Sequence, residues 1–171
     1  MTERKPKIAP RTSHRLLALT ALAVPALAFA AIVSARADAA EGTISKAEAD
    51  GIVFERQNLM LQLEKDAELL GEIAAGLKPK DKLGEVTRSI AESAAAAKSA
   101  FEPPVPGGRS KPEVWSNWAD YSRRLDELDS NAKQLAELGA KGDLTSVTNM
   151  LGGALQCKEC HDVYRGPKKP G

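Results

Sequence analysis

Five consecutive residues near the C-terminus, Cys157-Lys158-Glu159-Cys160-His161, place two thiols three positions apart and an imidazole directly after the second. On a helix, positions i, i+3 and i+4 share a face. Thiols so placed reach the two vinyl groups on one edge of a porphyrin, and each adds across a vinyl double bond to form a thioether. The imidazole then offers a nitrogen to iron from beneath the ring. This C-x-x-C-H pattern is the attachment signature of c-type haem. Three other chemistries use parts of it. A thioredoxin-type C-x-x-C needs a preceding strand in a βαβ context, and no strand pattern precedes this one. A zinc site lacks a fourth ligand pattern, and the close spacing crowds a tetrahedron. A disulfide inside one helical turn has poor geometry. The motif therefore predicts one covalently bound haem c, with Cys157 and Cys160 forming the thioethers and His161 as proximal ligand to iron.

A second axial ligand has few sources. The other histidine, His14, falls in the N-terminal segment read below as an export signal. Methionine is the next candidate, being a known axial partner of histidine. Met1 lies in the same segment. Met150 is expected on the same helix as His161 and on its proximal side, about 16 Å along the axis. Met60 remains, although a buried methionine is more often gap-filling core than a ligand. Arg56 and Gln57 stand one turn before Met60, and Arg165 stands four positions after His161. Each has the chemistry to meet haem propionates, and the alternative for each is a solvated surface group. Tyr164, Trp115 and Trp118 read as packing residues. Glu64, Asp66 and Glu68 read as a solvated face.

These residues need elements to position them. Aromatic residues make up only 4% of the chain while Ala, Leu, Glu and Lys dominate, which points to an all-helical domain. The formal charge of +1 hides an asymmetry. The first 39 residues hold six of the 24 basic groups and two of the 23 acidic ones, so residues 40–171 sum to −3. An acidic body argues against nucleic acid as a partner. The N-terminus is basic up to Arg15 and uncharged from Leu16 to Val33, and it ends in overlapping A-x-A sites over Ala35–Ala39. That order reads as a secretory signal peptide over 1–39. The alternative is an uncleaved inner-membrane anchor, since the apolar run approaches spanning length, but Pro25 weakens it as a helix. Both place the body, residues 40–171, in the periplasm, because the positive charges stay cytoplasmic.

Within the body, four helical stretches are expected. The first runs from about Ser45 to Gly71, with Ser45 and Glu48 as a capping box and Val53, Met60, Leu63, Ala67 and Leu70 at helical spacing. The second runs from Pro79 or Lys80 to Ala100, and its Ala94–Ala97 run allows close approach of a neighbour. Four prolines and two glycines make residues 102–112 a loop. The third helix starts near Pro112 and carries Val114, Trp118, Tyr121, Leu125, Leu128, Ala132 and Leu135 at alternating four- and three-residue steps, the seam of an antiparallel bundle. Gly139 and Gly142 mark its end. The fourth runs from Asp143, as cap, to Arg165, and 166–171 is a flexible tail. The architecture expected is an all-α, antiparallel four-helix bundle, with the apolar stripes as plain core packing.

The chain also resembles the class II c-type cytochromes, the cytochrome c′ family. The resemblance is carried by Lys111-Pro112-Glu113-Val114-Trp115-Ser116, by Cys157 to Arg165 close to the C-terminus, and by Arg56-Gln57-Asn58-Leu59-Met60. In that pattern the residue four after the arginine faces the distal side of the haem. It is a non-ligating side chain in the five-coordinate members that bind NO and CO, and an iron-bound methionine in the low-spin branch. Met60 at this position resembles the low-spin branch, which implies His161/Met60 ligation. The function so implied is electron transfer with redox partner proteins, since filled axial sites change little on reduction. The alternative is a five-coordinate haem protein binding NO or CO. No acid–base pair or activated nucleophile accompanies the motif, so no enzymatic activity is expected. The resemblance suggests a homodimer through the first two helices, with a monomer equally open.

Overall fold

The computed structural model describes residues 44–168. The export segment over 1–39 lies outside the described residues, as does the end of the tail. Helix α1, Lys46–Ala74, starts at the expected capping box: the Ser45 hydroxyl accepts from the Glu48 amide, and the Glu48 carboxylate accepts from the Ser45 amide. A single 3₁₀ turn, Lys80–Lys82, leads into α2, Leu83–Phe101. The proline-rich loop follows. A short α3, Glu113–Ser116, and a long α4, Trp118–Ala140, succeed it. Two further helices, α5 (Leu144–Ala154) and α6 (Cys157–Tyr164), complete the chain. With α5 and α6 counted as one broken rod, α1, α2 and α4 complete a four-helix bundle: α2 packs on α1 and α4, α5 on α4, and α5 closes against α1. Among the described residues no strand occurs, only an isolated bridge between Ser110 and Arg165. None of the described helices is long and apolar enough to cross a membrane.

Two expected helices are each broken once. The third is interrupted at Asn117, whose backbone leaves the helical region (φ −122°, ψ 45°). Its side chain donates to the Tyr164 hydroxyl at 3.0 Å, a polar alternative to continuing the helix. The fourth is interrupted at Leu155–Gln156, just after Gly152 and Gly153. Paired glycines weaken the last turn of α5, and Asn131 on α4 caps it by donating to the Ala154 carbonyl at 3.3 Å. The break separates Met150 from His161, so the two do not share a helix. Met150 packs instead against the core cluster that includes Leu70, Leu83 and Val147.

The glycines near the end of α4 divide their tasks. Gly142, at φ +69°, is the left-handed terminator. Gly139 lies inside α4 and marks its crossing with α2, where a Cβ would stand 2.0 Å from Thr87 Oγ1. Asp66 is not part of a solvated face. It is 8% exposed and accepts from Ser89 on α2 at 2.6 Å and from Gln62 at 3.0 Å. The tail also begins later than expected, because Gly166 donates to the Arg109 carbonyl at 2.7 Å.

Candidate functional site

Helix α6 starts at Cys157, so Cys157, Cys160 and His161 occupy its first turns and one face. That face forms one wall of a cavity of about 490 Å³, within the range of small-molecule sites. Met60 on α1 lines the same cavity, as do Gln57 and Arg165. All the residues singled out from the sequence for cofactor contact therefore converge on one space. The apolar stripe of α1 is the main surprise. Val53, Met60, Leu63 and Ala67, expected as core, line the cavity, and only Leu70 is fully buried in the packed interior. From α4, Tyr121, Leu125 and Leu128 add to the wall.

Both thiols are free. The exposed surface of Cys157 borders the cavity, and its apolar setting, with the nearby charges of Glu159 and Glu64, pushes the thiol pKa up. Cys160 shifts the same way, again chiefly through burial. Free thiols at i and i+3 on one cavity wall are placed to meet two vinyl groups on one porphyrin edge. The His161 pKa is lowered, first by burial and then by the Arg165 guanidinium, whose Nη1 stands 3.5 Å from Nδ1. A neutral imidazole keeps a lone pair for a metal.

Arg56 has a duty the sequence did not suggest. It is 3% exposed and donates from Nε to Ala100 O at 2.7 Å, from Nη1 to Val105 O at 2.6 Å and from Nη2 to Pro103 O at 2.5 Å. These carbonyls lie at the end of α2 and in a proline-rich loop that offers few amide donors, and Arg56 supplies donors to them. The guanidinium also lies 5.3 Å from the Phe101 ring and 5.1 Å from the Trp115 ring. Three of its five N–H groups are thus committed to holding the loop on α1, which corrects the view of Arg56 as a solvated charge. Trp115 donates to Phe101 O at 2.9 Å and acts as a packing residue, as expected.

A polar cluster fastens α6 from behind. The Tyr164 hydroxyl donates to Asp120 at 2.6 Å, and Arg124 Nε donates to the same carboxylate oxygen at 2.7 Å. Tyr164, then Arg124 and Arg123, hold the Asp120 carboxyl well below the usual range. Lys111 donates to the carbonyls of Asp162 and Val163 at the end of α6, as favours a helix C-terminus.

Sequence reasoning missed several lining residues: Glu64, read as part of a solvated face, Tyr121, read as core seam, and Arg109 and Arg124, which it did not single out. Each arrives through contacts distant in the chain. Tyr121 is 5% exposed, and its hydroxyl makes no hydrogen bond among the described residues. An apolar slot with two free thiols and an imidazole on one wall and a thioether on another fits a covalently attached haem.

Comparison with known proteins agrees. A family model described as cytochrome c′ matches residues 51–165. The cytochrome c′ of Alcaligenes xylosoxydans xylosoxydans is 34% identical over 71 residues, which span 41% of this chain and 56% of that protein's length. Among solved structures, ferric cytochrome c prime from Alcaligenes xylosoxidans superimposes with a TM-score of 0.65 at 24% identity, covering 70% of this chain and 97% of that one. A nitric oxide complex of a variant of the same protein gives 0.64 at 24% identity, with the same coverage. At that identity the two structures speak for the fold alone.

Proposed function

The chain belongs to the cytochrome c′ family, whose members bind c-type haem, and from that premise we propose that it is a haem protein taking up a small diatomic ligand, nitric oxide or carbon monoxide. The observation that carries this reading is the cavity itself, where the Cys157, Cys160 and His161 wall meets an apolar space bounded by Met60. Haem held there supplies an iron that binds diatomic ligands and changes charge by one electron. Cys157 and Cys160 would hold the macrocycle by thioethers, so its retention would not depend on the depth of the cavity. His161 would offer a ring nitrogen to its iron. Val53, Leu63, Leu125 and Leu128 exclude water and present no hydrogen-bond donors, a setting that favours weakly polar ligands. Membership of a family whose haem proteins bind NO and CO supports the same reading. No enzymatic step forms part of it. We place the mature protein in the periplasm, on the basic, apolar and small-residue order of residues 1–39.

The permanent His161/Met60 ligation expected of an electron carrier gains no support from these relatives. It stands as the second reading because one observation favours it: a thioether, Met60, on the cavity wall. Redox partner proteins belong to that reading. Optical spectra separate the two. Gas binding predicts that the reduced protein changes its spectrum readily with carbon monoxide. A low-spin spectrum indifferent to carbon monoxide would overturn it and establish the electron carrier, in which case Met60→Ala would create the carbon monoxide response.

A further inference from the structure

Haem bears its two carboxylates on the edge opposite its two vinyl groups. The cavity wall on α1 runs from Val53 to Ala67, about 21 Å of helix. The thiol of Cys157 stands toward the Glu64 end of that wall. Thioethers formed there point the carboxylate edge toward the other end, where Val53 and Gln57 meet the loop. The loop approaches closely: a Cβ on Gly107 would stand 2.5 Å from Val53 Cγ2, and one on Gly108 would stand 2.9 Å from Gln57 Nε2. The next residue is Arg109, which also lines the cavity.

We infer that Arg109, flanked by Gln57 and Arg165, binds a haem carboxylate, an inference that rests on the haem reading above. The arginine is held in place. Its Nε donates to Gly166 O at 2.9 Å, its carbonyl accepts from the Gly166 amide at 2.7 Å, and the next residue, Ser110, bridges to Arg165. This short pairing sets the two arginines side by side at the cavity. The terminal nitrogens of Arg109 make no hydrogen bond or ion pair among the described residues, so a planar pair of donors faces the site free to meet a carboxylate. Arg56, donating from Nε to Ala100 O in the last turn of α2 and from Nη1 and Nη2 to the loop carbonyls of Val105 and Pro103, instead fixes the loop that delivers Arg109.

The test uses the haem-loaded full chain and four variants: Arg109→Lys, Arg109→Gln, Arg109→Glu and, as a control on the exposed face, Lys133→Gln. Two readouts are taken, the propionate-bending band in the resonance Raman spectrum and the midpoint potential. Arg109→Gln shifts the band and lowers the potential, because a lost cation favours ferric iron. Arg109→Glu lowers the potential further, Arg109→Lys keeps most of it, and Lys133→Gln moves neither readout. An unshifted band in Arg109→Gln overturns the contact, whether or not the potential falls. If Arg109→Glu fails to load haem, the Gln and Lys variants decide the matter. Wild-type protein without covalent haem would defeat the haem reading itself, whereas a loaded wild type with silent Arg109 variants defeats only this inference.

Discussion

The two ends of the bundle are built from the same amphipathic helices and are filled differently. At one end Leu70 and Ile73 of α1, Leu83, Val86 and Ile90 of α2, Leu135 of α4 and Val147 of α5 close into a solid core. At the other end the α1 stripe of Val53, Met60 and Leu63 faces Tyr121, Leu125 and α6 across a cavity. Aliphatic side chains from four helices interdigitate at the solid end, as interiors normally do. At the cavity end polar fastenings replace some of that packing: Arg56 ties the loop, Asp120 and Asn117 tie Tyr164, and Lys111 ties the end of α6. Apolar periodicity marks a buried face without specifying whether protein or cofactor fills the space beside it.

The contrast can be broken at the solid end first. Leu135→Ala, at a fully buried site, is expected to cost about 2–5 kcal/mol of stability, measured by denaturant unfolding, and to leave the haem spectrum unchanged. A spectral change of the size given by Met60→Ala would show that the two ends are not independent. Gly139→Ala drives a methyl into Thr87 at the α2–α4 crossing and is expected to cost about 1–3 kcal/mol, again with an unaltered spectrum. Ser45→Ala removes the α1 cap for about 1 kcal/mol, and thermal melts should show it in loaded and haem-free protein alike.

The smallest effect lies on the cavity side and depends on pH. Asp120 stays ionised in the folded protein below the usual carboxylate range because Tyr164, Arg124 and Arg123 stabilise its charge. As pH falls below about 4 the unfolded chain takes up this proton first, so the contribution of Asp120 is present above that pH and is lost progressively below it. Asp120→Asn should flatten the acid limb of a stability–pH profile. An unchanged limb would mean that Asp120 does not fasten α6.

The helical class, the capping box at Ser45, the loop over 102–112 and the shared helical placement of Cys157, Cys160 and His161 were legible because each depends on residues a few positions apart. The breaks at Asn117 and Leu155 were not. Asn117 leaves the helix to reach Tyr164, 47 residues away, and no local preference records that partner. Asp66 was misread, and the loop-holding bonds of Arg56 were missed, for a related reason. A charged residue on an amphipathic helix is normally solvated, and only the loop carbonyls and Ser89 make these two worth burying.

The sequence by itself determined that two thiols and an imidazole share one helical face, since residues at i, i+3 and i+4 do so in any helix that contains them. It also determined that amphipathic helices must bury their stripes together. Tertiary structure alone decided which part of the α1 stripe becomes core and which becomes cavity wall, that Arg56 clamps a loop, and that Arg109 reaches the site. Those outcomes depend on which distant segment arrives opposite each residue, and packing, not local propensity, makes that choice.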